Sequence, residues 1–444
     1  MSAESTALLT DMYEFTMIDA ALKSGHAERE TVFELFGRRL PEIRRYGVVA
    51  GTARILDALE SFRFGDAELA YLREKGTLSE AALDYLGDYR FSGSISGYAE
   101  GECYFAGSPL LTVSGTFAEC VLLETLLLSI MNHDCAIATA ASRMTTAAHG
   151  RPCLEMGARR THEAAAVAAA RATVVGGFVG TSIMEAGRSY GIDTIGTAAH
   201  SFTLLYDSEE DAFDAQVASL GPGTTLLVDT YDVERGVERA VAAARRAGGE
   251  LGAVRLDSGD LIAQAFRVRK QLDDLGASTT KITVTSDLDE YAIAALGAAP
   301  VDAYGVGTKV VTGSGRPTAQ LVYKLVAHRD ADGSWVNVQK KSESKTSLGG
   351  RKFAGRVLEA GHAVSELVLA THDEDVAREH LRKRRARPLQ VDLVRDGTIS
   401  DEHRGAEALA AARDRHEASR AELPYPAWRL SAGDPGIPTE HVRL

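Results

Sequence analysis

The sequence predicts an α/β protein whose middle part is a (β/α) barrel, and three observations carry that prediction. A repeating grammar runs through it: a short apolar run ends in polar or Gly residues, and an Ala-rich helical pattern follows. The runs are PCLEMG, FVGTS, IGTAAHS, TLLVDTYD, AVRLDSGD, ITVTSD and AYGVGT, and strand-plus-helix units of this kind imply a parallel sheet with helices outside. Their ends, at Glu155, Thr181, His200, Asp229, Arg255, Ser286 and Gly307, recur 19 to 31 residues apart. The polar residues gather at the C-terminal ends of the expected strands, the face that holds the active site in such barrels. An open doubly wound sheet is the alternative architecture.

The flanking segments read differently. TVFELF (31–36) has the texture of a strand, and ARILDALESF (53–62) places apolar residues at helical spacing. The Gly- and Ser-dense stretch from Phe91 predicts several strands joined by tight turns. A long helical run extends from about 118 to 148; its most apolar part, Val121 to Ile130, contains Glu124, is too short to span a bilayer, and reads as a buried helix. Beyond about 325 the grammar stops. VYKLVAHRDADGSWVNVQKK reads as a hairpin around a D-A-D-G turn, followed by a basic loop (340–352), a strand at SELVLA and a helix over 407–422. The tail from Leu423 carries four prolines and is expected to be extended. The domain boundaries expected from these shifts are 1–117, 118–325 and 326–444.

Of 444 residues, 49 are basic and 62 acidic, giving 49 − 62 = −13. That balance argues against a basic nucleic-acid surface and for a soluble anionic protein. A hydrophobic content of 45% with 25% charged residues is that of a globular protein rather than a disordered one. The four cysteines show no C-x-x-C spacing, so neither a zinc finger nor a dithiol redox site is supported. The first residues carry acids and no basic n-region, so no secretory signal is expected and the expected location is cytoplasmic.

No P-loop, H-E-x-x-H or G-x-S-x-G pattern occurs, and GFVGTS and GVGT are not dinucleotide fingerprints. What remains is a set of polar residues at expected strand ends. They are Arg159 and Arg160; His200 and Ser201; Asp229 and Asp232; Arg255, Asp257, Ser258 and Asp260; Asp287 and Asp289; Thr308 and Lys309. Arginines and carboxylates on one rim suit a polyphosphate held by Arg and Mg²⁺. The turn from Gly305 through Gly307 to Thr308 offers closely spaced N–H groups of the kind that hold a phosphate. Plainer readings compete at every position: a strand-end Asp often caps the next helix, a lone His is more often structural, and the glycines could serve a tight turn. The coincidence of six such sites on one rim favours an enzyme acting on an anionic ligand.

At these same residues the chain resembles nicotinate phosphoribosyltransferase, a type II phosphoribosyltransferase. The resemblance rests on Thr10-Asp-Met-Tyr13-Glu-Phe-Thr-Met17, Glu155-Met-Gly157-Ala-Arg159-Arg160, Gly196-Thr197-Ala-Ala-His200-Ser201 and Val228-Asp229-Thr230-Tyr231-Asp232. It continues through Val254-Arg255-Leu-Asp257-Ser258-Gly259-Asp260, Tyr304-Gly305-Val-Gly307-Thr308 and Val322-Tyr323-Lys324-Leu325-Val326. It implies an irregular TIM-like α/β barrel with a second α/β domain formed by the N- and C-terminal segments. It also implies joining of nicotinate to 5-phosphoribosyl 1-pyrophosphate (PRPP), giving nicotinate mononucleotide and pyrophosphate for NAD salvage. ATP hydrolysis would be coupled through a phosphohistidine, here His200, in a homodimer with its active site at the subunit interface. Tyr13 would reach the pyridine ring from the neighbouring subunit, Thr197 and Arg255 would contact nicotinate, and Thr308 would contact PRPP.

The chemistry agrees with the residues. The pyridine nitrogen already has a lone pair, so catalysis reduces to stabilising the leaving pyrophosphate, with Mg²⁺, and positioning the base. Asp229, Asp257 and Asp287 suit ribose hydroxyls or Mg²⁺, and Arg255 suits a carboxylate or phosphate. Two positions depart from the resemblance. Met156 stands where many relatives have Phe. Ser182 stands where nicotinamide-specific relatives carry an Asp, which favours nicotinate over nicotinamide, the alternative substrate. Quinolinate phosphoribosyltransferase and a non-catalytic PRPP-binding regulator are the more distant alternatives.

Overall fold

The computed structural model describes residues 5–339 and 348–444. The chain divides into two compact units, Met1–Thr139 with Arg316–Leu444, and Ala140–Gly315. These boundaries differ from those expected at 118 and 325, for two reasons. Leu122, Leu123, Leu126, Leu127, Met131 and Cys135 of the long helical run belong to the apolar core of the first unit. Leu321–Arg329 pairs antiparallel with Glu30–Gly37 rather than joining the parallel sheet.

The first unit is built on antiparallel strands. Its seven-stranded sheet runs in the order Trp335–Asn337, Leu321–Arg329, Glu30–Gly37, Leu111–Thr116, Ser94–Tyr98, Gln390–Arg395, Thr398–Ile399. Both chain ends therefore contribute to one sheet. The strands at 31–36 and 365–370, the helices at 53–62 and 407–422 and the hairpin after Val322 form where the sequence places them, as Glu30–Gly37, His362–Ala370, Thr52–Glu60, Gly405–Ala421 and the pair Leu321–Arg329 with Trp335–Asn337. The helical run at 117–147 is apolar and long enough to cross a membrane by composition, but 67% of its most apolar window is buried inside the protein. Of the basic loop, residues 340–347 lie outside those described. The Pro-rich tail is more ordered than expected. It makes a 3₁₀ turn at Tyr425–Trp428, with Pro426 within its first turn, and a strand at Thr439–Arg443 parallel to Glu366–Ala370.

A buried polar network ties the distant segments of this unit together. Arg356, fully buried, donates from Nη2 to Glu366 Oε2 at 2.9 Å and to the Cys103 carbonyl, and from Nη1 to Ser419 Oγ at 3.0 Å. Glu366 Oε1 accepts from the Tyr98 hydroxyl at 2.8 Å and from Ser108. Arg387 bridges Glu102 and Glu422.

Glu14 on the helix Met12–Lys23 is buried; its Oε1 accepts from Thr125 N at 3.0 Å and Thr125 Oγ1 at 2.7 Å, whereas Oε2 has no partner. Burial pushes its carboxyl from 4.5 up to about 7. The folded protein thus holds a proton that the unfolded chain releases, so this group's contribution to stability falls as pH rises from about 4.5 to 7. Glu14→Gln is expected to flatten the drop in melting temperature between pH 5 and pH 8; parallel wild-type and variant profiles would refute it.

The second unit holds six parallel strands: β1 (Cys153–Glu155), β2 (Gly180–Thr181), β3 (Thr225–Leu227), β4 (Ala253–Leu256), β5 (Lys281–Val284) and β6 (Ala303–Val306). Their order is β2-β1-β6-β5-β4-β3. That is the cyclic order of a barrel, opened once between β2 and β3. The run IGTAAHS, expected as the third strand, would fill the opening and does not. Only a single parallel bridge, Thr181 to Thr194, and the bond from Ile195 N to Thr181 O start it. The residues that follow, Gly196-Thr197-Ala-Ala, are exposed or half-buried. They bury no alternating apolar side chains that would hold a strand there.

Candidate active site

The acids after the strands divide by what their side chains meet. Asp232, Asp260 and Asp289 are helix caps, accepting from the N–H groups of Arg235, of Ala263, and of Tyr291 and Ala292. The plain capping reading holds for these three. Asp229 and Asp257 face elsewhere.

Asp229 follows β3, with its side chain only 1% exposed. Its Oδ2 accepts from Asp257 N and Ser258 Oγ, both at 2.8 Å, while Oδ1 is buried without a hydrogen-bond partner. Asp257 follows β4; its Oδ1 accepts from Thr285 Oγ1. The remaining oxygens of both carboxylates face His200, whose Nε2 lies 4.0 Å from Asp229 Oδ1 and 3.8 Å from Asp257 Oδ2. His200 opens the short helix His200–Thr203 beside the barrel's opening, and its Nδ1 lies 3.1 Å from Thr230 Oγ1.

Arg255 lies on β4 and is half-buried, with an Nε that has no hydrogen-bond partner. Burial lowers its guanidinium pKa; Asp257 and Asp229 oppose that shift, and the like charge of Arg159 adds to it. A cation in this position, with a donor unspent, is prepared for an anionic ligand.

A second group surrounds the start of the barrel. Glu155, fully buried at the end of β1, accepts from Thr181 Oγ1 at 2.5 Å and from Gly157 N, and burial raises its pKa. Gly305 lies inside β6, where a Cβ would come within 2.5 Å of Thr285 Cγ2 and 2.7 Å of Met156 Sδ. Its missing side chain thus makes room for Met156 and Thr285, rather than opening the expected phosphate turn. That turn reduces to Gly307 and Thr308, the latter opening the helix Thr308–Val311.

The remaining predicted residues spread out. Arg159, in the 3₁₀ turn Ala158–Arg160, and Ser182, Thr197 and Asp287, on loops, are exposed in the same unit. Asp287 follows Ser286, whose φ of 113° is a strained conformation for a non-glycine residue. Tyr13 belongs to the other unit and is 45% exposed on its helix. Burial, with the carboxylates of Glu124 and Glu14, pushes its hydroxyl up to about 12. Sequence reasoning assigned no role to Thr285, which holds Asp257 and packs on Gly305, nor to Thr230, which holds His200; a lone threonine carries no signal of its partner.

Comparison with known proteins gives the chain its family and its fold. The profile described as the nicotinate phosphoribosyltransferase (NAPRTase) N-terminal domain matches residues 8–132. Nicotinate phosphoribosyltransferase pncB1 of Mycobacterium tuberculosis is 53% identical over 450 residues, covering 99% of this chain and 96% of that protein. Nicotinate phosphoribosyltransferase of Bacillus subtilis is 37% identical, covering 84% and 78%. The crystal structure of human nicotinic acid phosphoribosyltransferase superimposes with a TM-score of 0.80 at 24% identity, covering 97% of this chain and 98% of that one. The mixed α/β architecture with its curled parallel sheet is therefore the fold of that structure. By its identity along almost the whole length to these relatives, the chain belongs to the nicotinate phosphoribosyltransferase family.

Proposed function

We propose that this protein is an ATP-coupled nicotinate phosphoribosyltransferase of NAD salvage. It joins nicotinate to PRPP, forming nicotinate mononucleotide and pyrophosphate, and phosphorylates His200 from ATP. The observation that carries the reading is the convergence of three incompletely satisfied groups in one unit. They are the unpartnered Nε of Arg255, the unpartnered Oδ1 of buried Asp229, and His200 facing both Asp229 and Asp257.

Nicotinate needs no base to become a nucleophile, since its ring nitrogen carries a free lone pair. The site must hold its carboxylate and align the ring with the ribose C1. Half-buried Arg255 supplies a fork for the carboxylate, and exposed, uncharged Ser182 does not repel it. Thr197 and Arg159 complete the base side, Thr308 and Gly307 the phosphoribosyl side, and Asp287 the ribose side. Asp229 Oδ1 and Asp257 fit Mg²⁺, which takes one or two carboxylates and leaves its other positions to water and phosphate. Bound there, Mg²⁺ supplies charge to the departing pyrophosphate.

Tyr13 acts in trans in a homodimer. Support comes from two exposed apolar sets, Leu8, Leu9, Met12 and Tyr13 in one unit and Met184, Leu204, Leu205 and Tyr231 in the other. Four buried free thiols suit a cytoplasmic location.

The test is mononucleotide formation from PRPP and Mg²⁺ with nicotinate or nicotinamide, with and without ATP, while ADP is followed. ATP-stimulated product from nicotinate alone is expected. Product from nicotinamide alone would overturn the substrate, and turnover indifferent to ATP would overturn the coupling. In His200→Ala the ATP stimulation and the acid-labile phosphoenzyme are expected to vanish; a phosphoenzyme at the wild-type level would remove His200 from the assignment.

A further inference from the structure

Building on that reading, we propose that Thr230 is the positioning residue for His200, its hydroxyl donating to Nδ1 and holding the ring with Nε2 turned to Asp229 and Asp257. The imidazole is 40% exposed, and its two carboxylate neighbours lie at 3.8 and 4.0 Å, beyond hydrogen-bond reach. Rotation about a histidine's second side-chain bond is broad and roughly two-fold, so the backbone alone does not decide which nitrogen faces which way. The contact at 3.1 Å between Nδ1 and Thr230 Oγ1 does decide it. Turning the ring over would replace a nitrogen by a carbon at that hydroxyl and forfeit the bond.

Thr230 is itself well held. It follows Asp229, whose Oδ2 is fixed by Asp257 N and Ser258 Oγ, so the backbone entering Thr230 is anchored to the next strand's loop. Its branched Cβ restricts its first side-chain torsion, which makes the hydroxyl a stiff support. The choice of nitrogen also suits the charges. An N–H on Nε2 points toward two carboxylates, and the lone pair left on Nδ1 accepts from the hydroxyl. Oriented from one side by a neutral hydroxyl, the ring presents its Nε2–H to Asp229 and Asp257, and one of these carboxylates takes that proton as Nε2 bonds the γ-phosphorus of ATP and the bond to ADP breaks.

Two variants separate this role from plain packing: Thr230→Val keeps the shape and loses the hydroxyl, and Thr230→Ser keeps the hydroxyl and loses the methyl. Phosphoenzyme formation from γ-labelled ATP is expected to slow about tenfold or more in Thr230→Val, the size typical of losing a group that orients a reactive histidine. The ratio of ADP released to mononucleotide formed is expected to fall with it, since turnover without ATP continues, and Thr230→Ser should restore both. A wild-type rate and ratio in Thr230→Val, or a Ser variant as slow as the Val variant, would overturn the proposal. A second measurement needs no ATP. With ¹⁵N-labelled histidine, the His200 ring signal, identified by its loss in His200→Gln, should show the Nε2–H tautomer in wild type and in Thr230→Ser, and a tautomer mixture in Thr230→Val. The same tautomer in all three would overturn the positioning role. A wild-type enzyme that forms no phosphoenzyme would instead sink the phosphohistidine reading, and the ring signal would still decide Thr230.

Discussion

Arg356→Ala is expected to lower the unfolding free energy by about 3–5 kcal/mol, the cost of removing one partner from a buried ion pair. The residue is 0% exposed, so its partners lie away from bulk solvent. Glu366 would keep its bonds from Tyr98 and Ser108 but lose its cation, and the Cys103 carbonyl and Ser419 would each lose a donor. Glu102 and Glu422, 3.8 and 3.7 Å from Arg356 Nη1, retain Arg387. The damage should therefore centre on Glu366. Arg356→Lys keeps the charge without the fork and should fall between the two. Denaturant unfolding reads the difference, and a loss below about 1 kcal/mol in the alanine variant would mean that the network relaxes around the gap.

Arg255→Ala should raise the nicotinate KM by about thirtyfold, corresponding to roughly 2 kcal/mol for truncating one partner of a half-buried charge pair. Arg255 spends no Nε hydrogen bond on the protein, and its charge interactions with Asp257 and Asp229 are what its removal takes from the fold, so the melting temperature should fall by no more than a few degrees. Nicotinate saturation kinetics at fixed PRPP test it. A wild-type KM would place the substrate carboxylate on another cation, with Arg159 next in line.

Much of the fold was legible because periodicity carries it. The helices at Thr52–Glu60 and Gly405–Ala421, the strand Glu30–Gly37 and six of the seven apolar runs declare themselves through local pattern. The failures have a common origin in partners that a local pattern does not contain. IGTAAHS resembles the other runs, but its Gly196-Thr-Ala-Ala portion offers a neighbouring strand little to bury. The strand Thr439–Arg443 hides behind prolines and exists because Glu366–Ala370 presents an edge to it. The helical run was placed correctly along the sequence but given wholly to the barrel, whereas it forms two helices, Phe117–Val121 and Glu124–Ala147, and the boundary between the units falls inside the second; its apolar face says that it packs without saying against what.

The site shows the same limit at finer scale. Asp229 and Asp232 stand three residues apart after one strand, yet one faces His200 and the other caps a helix. Chemistry at strand ends was therefore readable as a set, with Asp229, Arg255, Asp257 and His200 together. Which member faces inward depends on side-chain direction, set by loop backbone. Thr230 and Thr285 stayed invisible because their hydroxyls matter only through what lies across the rim.

The interleaving of both chain ends in one sheet has a consequence for how the protein is made. Strand Glu30–Gly37 leaves the ribosome early, and one of its two neighbours, Leu111–Thr116, soon follows. Its other neighbour, Leu321–Arg329, emerges only after the whole of Ala140–Gly315 has been synthesised. Through that interval the nascent chain carries an open strand edge, the feature most prone to pairing with another chain. The parallel unit is contiguous in sequence and can close first. Nascent chains halted before residue 321 should therefore bind holdase chaperones through the Glu30–Gly37 edge, and lose that binding once 321–329 has emerged.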